Sequence, residues 1–230
     1  MNKIIAGSAS AGAVLCFLAY WIGTVIKRKF KWGILNPLLI AIILVSGFLL
    51  AFRVDYDSFN SGAQYISWFL TPATVSLAVP LYQQLERLKK NIKAILISIF
   101  VGSVTSMGSV LALAFLFRLT HEQYVTFLPK SITTAIGMTL AEEMGGIAAI
   151  TATTIIVTGI FGSMVCDGIF KLLKITDDVA KGLALGTSAH AIGTTKAMEI
   201  SEVAGAMSSL SIVTAGIITV IGANLFAMIY

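Results

Sequence analysis

LGTSAHAIGTT, residues 185–195, places a histidine, two glycines and four hydroxyl side chains in a chain that is otherwise strongly apolar. Of its 230 residues 57% are hydrophobic and only 12% charged, with a mean hydropathy of +0.91, whereas ordinary soluble domains carry about 25% charged residues. Such a composition describes an integral membrane protein with no hydrophilic block of domain size. Polar, glycine-containing backbone at membrane depth is tolerated only where it is buried in protein or lines a cavity. The stretch therefore predicts an interrupted helix beside such a cavity.

Other function classes fall away. Cys16 and Cys166 both lie in apolar segments without CxxC spacing and read as small packing residues. The net charge of +5 sits in short loops between apolar runs, which is topology information and not a nucleic-acid footprint. His121 lies in a loop, and no Ser/His/Asp order, zinc spacing or phosphate loop accompanies it, so neither an enzyme nor a cofactor or metal is expected.

A bilayer core needs about 20 apolar residues per helix. Stretches near 4–26, 34–52, 63–82, 94–117, 147–170 and 206–228 qualify as full spans. The first has only Lys3 ahead of it and the run KRKFK behind it, the reverse of a secretory signal, and predicts a retained span with its N-terminus outside. Lys27, Arg28, Lys29 and Lys31, then Arg87, Lys89, Lys90 and Lys93, then Lys171, Lys174 and Lys181 fill three loops and make up 11 of the 16 Lys and Arg. The positive-inside rule puts those loops in the cytoplasm and the loops near 53–61 and 118–128 outside. With one full span between residue 128 outside and residue 171 inside, the polar piece at 129–145 must enter and leave on one side. The piece at 183–196 is too short and polar for a simple span and follows the same logic.

SITTAIG at 131–137 aligns with TSAHAIG at 187–193, and with a one-residue shift Glu142 meets Glu199 and Thr151 meets Ser208. A polar gap followed by a full span occurs in both copies, an internal repeat that the charge-based topology makes inverted. The predicted architecture is an all-α polytopic membrane protein of about six transmembrane helices plus two re-entrant or broken segments. Residues 1–128 form a scaffold, and 129–230 a core of two inverted repeats, 129–170 and 183–228. Inverted repeats with interrupted helices point to a secondary transporter, whose broken-helix N-termini favour an anion such as a small carboxylate. In TPATVSLAVP at 71–80, Pro72 and Pro80 interrupt another apolar run and predict a kink beside the site.

PATVSLAVPLYQQ at 72–84, PKSITTAIGMTLAEEMGG at 129–146 and LGTSAHAIGTTKA at 185–197 resemble, in order, the LrgB/CidB family of bacterial membrane proteins. The resemblance covers nearly the whole chain, least securely residues 1–30. It implies one of two roles. One is an antiholin-like or holin-like protein that works with a small LrgA/CidA-type membrane partner to modulate murein hydrolase activity and lysis. The other is transport, since the family is similar to the plastid glycolate/glycerate translocator and bacterial members are linked to pyruvate and related acids. We expect a carrier of small monocarboxylates in the cytoplasmic membrane, working by alternating access and forming a homodimer, with the antiholin-like role as the alternative.

Substrate contacts are expected from Thr133, Thr134, Gly137, Thr187, Ser188, His190, Gly193, Thr194, Thr195 and Lys196, with Pro72 and Thr74 at the kink. Glu142, Glu143 and His190 are the candidates for a coupling proton or cation. Each has a plainer alternative. His190 can be an interhelical hydrogen-bonding residue, the hydroxyls can bond their own helix carbonyls, the glutamates can sit in a surface loop, and Lys196 can snorkel to headgroups. Asp167 reads as a helical ion-pair partner for Lys171 and Lys174.

Overall fold

The computed structural model describes residues 10–30, 35–76 and 78–230, and every regular element among them is helical. In chain order these are α1 (Ala11–Phe30), α2 (Pro37–Ala51), α3 (Tyr56–Ser67), α4 (Leu70–Ser76), α5 (Ala78–Gln83), α6 (Leu85–Phe117), α7 (His121–Phe127), α8 (Thr134–Glu143), α9 (Ala148–Leu172), α10 (Asp178–Ile200) and α11 (Glu202–Ala227). Four are long and apolar enough to cross a bilayer: α1, the Ile92–Phe117 part of α6, α9 and α11; Pro37–Ala51 is apolar but shorter. The protein is a multi-pass, all-helical membrane protein.

Helix starts follow local chemistry. Asn36 accepts from the Leu38 N–H at 2.8 Å with Pro37 in the first turn, where no backbone donor is needed. Asp177 accepts from the Ala180 N–H at 2.8 Å, and Thr120 and Gln123 form a reciprocal capping box. The expected Pro-broken span at 63–82 falls on α3, α4 and α5, with a described turn at Trp68 and Phe69 between α3 and α4. Pro72 falls in the first turn of α4, where a missing backbone N–H leaves no intrahelical bond unmade, so a helix starts around this proline after the turn.

The chain divides into two compact units, Met1–Ser76 and Leu77–Tyr230. This division groups α6 with the helices after residue 128, whereas the sequence places the boundary at 128. In the first unit α1 meets the backbone of α3 at Gly12 and that of Pro37 at Gly23. In the second, the packed interior mixes large apolar side chains such as Ile95, Ile99, Met107, Tyr124 and Met207 with many small ones: Ser103, Thr126, Thr151, Thr187, Thr194, Ser208 and Ser211 are buried beside Ala189, Ala197, Ala204 and Ala206. Large apolar side chains such as Phe100, Phe115, Phe161, Ile221 and Leu225 face outward. Small and hydroxyl residues at helix contacts, with bulky apolar side chains also turned outward, is the arrangement of helices whose solvent is lipid.

Candidate functional site

Both short polar pieces turn back on themselves. Gly137 lies against the Pro129 carbonyl and Gly193 against the Leu185 carbonyl, a partner eight residues earlier in each case. Residues eight apart in a continuous helix are separated by about 12 Å along its axis, so each piece is a hairpin with its tip between the two. The first hairpin runs through α7, an irregular stretch at 128–133 and α8. The second lies within α10, whose helical course breaks at Ala189 (φ −127°) and His190 (φ 40°, ψ −134°).

The two hairpins close at equivalent places. At the base of the first, the Ile147 N–H donates to Thr126 Oγ1 at 2.9 Å. At the base of the second, Gly182 packs on the backbone of Ala204, the positions matching Thr126 and Ile147 in the sequence alignment. Gly145, at φ 87°, makes the turn from α8 toward α9 in a conformation that favours glycine.

Each hairpin opens at a different end of α9. The first is bound to its start, where Thr151 Oγ1 donates to the Thr126 carbonyl at 2.8 Å. The second opens beside its end, where Lys196 pairs with Asp167 at 2.8 Å. Both tips reach α9 part-way along. Ile155 packs on Gly137, while the His190 ring lies against the open backbone of Gly159, and Ala189 against Gly162. His190 Nε2 is 2.9 Å from the Ile155 carbonyl oxygen.

The tips also meet α6 within one helical turn. Gly102 touches Thr187 of the second tip, and Ser106 Oγ lies 2.8 Å from Ser131 Oγ of the first. Between them is a cleft of about 1130 Å³, lined along α6 by Ser98, Gly102, Thr105 and Ser106, along α9 by Thr158 and Phe161, and by Thr187 and Ser188; it reaches from Lys130 to Asp177. Lys130 Nζ donates to Ser106 Oγ and Ser131 Oγ, both at 3.3 Å.

Of the residues expected from the sequence, the cleft gathers Thr187 and Ser188. Thr133 is the N-cap of α8 and Thr134 its first residue. Gly137 and Gly193 are hairpin packing positions, and Thr194 bonds the His190 carbonyl and Ser208 Oγ. Thr195 is exposed and bonds the Ala191 carbonyl; Glu142 and Glu143 are exposed at the end of α8. His190 is buried against α9 and is not among the cleft's lining residues. Lys196 is engaged with Asp167 and lies 3.9 Å from Glu199. Pro72 is exposed in α4, in the other unit, and the Thr74 side chain lies outside the described residues.

Lys130, Ser131 and Ser106 are the residues the sequence reading passed over. A signal for them existed: Gly102, Thr105, Ser106 and Ser109 recur at helical spacing in an apolar span, and Lys130 stands inside the PKSITTAIG motif.

Residues 16–229 match the family profile described as the LrgB-like family. The chain is 36% identical over 219 residues to the "Antiholin-like protein LrgB" of Bacillus subtilis (strain 168), covering 95% of each chain. It is 36% identical over 216 residues, 94% of each chain, to the proteins of the same name from Bacillus mycoides (strain KBAB4) and Bacillus cereus (strain B4264). No solved structure matches it significantly.

Proposed function

This chain belongs to the LrgB-like family, and we propose that it acts as an antiholin-like membrane protein, the role its relatives' names carry, alongside an LrgA-type partner. The second reading, which the geometry of the cleft favours, is that its molecular activity is carriage of a small monocarboxylate. One observation supports the second reading. Two hairpins bound to opposite ends of α9 bring their tips to α6 at Gly102 and Ser106, and the hydroxyl-lined cleft between them extends toward Asp177. A site between interrupted helices, with access along one arm, suits alternating exposure of a bound solute. Thr187 and Ser188 are proposed as its contacts on the second tip, the hairpins being a moving unit and the protein working as a homodimer in the cytoplasmic membrane with its N-terminus outside.

Proteoliposomes loaded with unlabelled pyruvate, lactate or glycolate test this. A carrier accelerates entry of the labelled acid by counterflow and saturates. A holin-like pore passes small dyes and ions without saturation, and that result, or no acid-dependent flux with the partner present, overturns the carrier reading and leaves the antiholin-like one.

A further inference from the structure

We infer that Lys130, braced by Ser106 and Ser131, is the anchor for one carboxylate group, and that the cleft is thereby restricted to monoanionic acids; the inference deepens the carrier reading and rests on it.

Lys130 is half-buried at the inner end of the cleft, and among the described residues its ammonium makes no ion pair. Its two hydrogen bonds are to neutral hydroxyls, so one of the three donors of an ammonium is left over. A cation held at membrane depth without a counter-charge is costly. A carboxylate at the Lys130 ammonium supplies that counter-charge, and of the mutually bonded Ser106 and Ser131 hydroxyls one keeps a proton free to donate to its oxygens. The lysines of α10, Lys181 and Lys196, already have Asp178 and Asp167 as partners, which leaves Lys130 as the cation among the cleft's lining residues. The carboxylate that lines it, Asp177, stands at the other end and caps Ala180. A second carboxylate on the solute would find only neutral hydroxyls and apolar side chains such as Val101, Phe161 and Val165 along the cleft and no second cation among its lining residues, so its charge would go uncompensated.

The experiment is ligand-dependent thermal stabilisation of the purified full chain by pyruvate, lactate and glycolate, with succinate for comparison, beside counterflow on the same preparations. Saturable stabilisation by the monocarboxylates, weakened at least about tenfold in Lys130→Met and largely kept in Lys130→Arg, is expected, with little response to succinate. Equal affinity in Lys130→Met, or equal affinity for succinate, overturns the anchor while counterflow still judges the carrier. Absence of any binding to the wild-type chain also overturns it. Monocarboxylate binding that depends on Lys130 without counterflow upholds the anchor and removes the carrier. If Lys130→Met does not fold, Ser131→Ala carries the test, with several-fold weaker binding expected and unchanged affinity overturning the proposal.

Discussion

The two hairpins share a backbone plan and differ in how each makes its tip. The first stops its entering helix at Phe127, because Pro129 removes a backbone donor and disfavours helix in the residue before it, and then spends residues 128–133 on an irregular descent. That slack lets Thr133 take an ordinary extended conformation (φ −66°, ψ 146°) and turns Lys130 and Ser131 toward the cleft. The second hairpin has no proline in its entering arm. Its helix runs to the tip and reverses in two residues, which forces His190 to φ 40°. The comparison teaches that matching topology leaves room for divided labour: the loose tip carries the charge, and the tight tip supplies packing and hydroxyls.

Alignment sets Lys130 opposite Gly186, and the largest expected effect tests that asymmetry. Gly186 lies against the Ser208 carbonyl and the Ser211 side chain, so Gly186→Leu should cost about 3 kcal/mol or more, read as loss of folded protein or a steep fall in Tm. Substitutions at Lys130 should leave Tm unchanged or raise it, since they remove an uncompensated charge. Equal tolerance at both positions breaks the comparison.

His190 comes next. His190→Ala keeps a β-carbon in the left-handed region and removes both the bond to the Ile155 carbonyl and the ring that fills the space over Gly159, so a loss of about 1–3 kcal/mol is expected. His190→Gly relieves the backbone and should be milder than His190→Ala. Thr134→Gly, at the equivalent position but in a regular helix, should show the reverse order against Thr134→Ala. Urea or thermal unfolding in detergent reads all four.

Pro129→Ala should let α7 continue past residue 128 and swing Lys130 from the cleft. The expected result is about tenfold weaker monocarboxylate binding, equivalent to about 1.4 kcal/mol, at unchanged or slightly higher Tm; unaltered binding would mean the proline does not set the tip. The smallest effect belongs to Lys196→Met. Its carboxylate partner Asp167 has a half-exposed side chain (56%), and such pairs contribute about 1 kcal/mol or less, so Tm should move by only a degree or two.

Much of this was legible in the chain. The hairpins could be placed because glycine and hydroxyl clusters inside apolar sequence have few physical explanations, and the basic loops constrain where the chain enters and leaves. The course of 63–82 was legible only in part: Pro72 announces an interruption, but not that it falls in the first turn of a new helix. Lys196 and not Lys130 is expected from the sequence as the cation for a substrate, and the structure places the two differently. Lys196 and Lys130 both flank motif residues, and what separates them is a carboxylate 29 residues away from one and absent beside the other among the described residues. Pairing between two neighbouring helices leaves no local mark. His190 shows the same limit, since its partner is a backbone carbonyl of Ile155.

The ammonium of Lys130, without an ion pair among the described residues, has an electrical consequence if the protein is a carrier. Moving one elementary charge through a membrane potential takes about 2.3 kcal/mol per 100 mV. An empty site that reorients with Lys130 bears that work, whereas a site holding one carboxylate is neutral and does not. Exchange of one acid for another should therefore proceed independently of voltage, while net movement, which needs the empty site to return, should rectify with the sign of the potential.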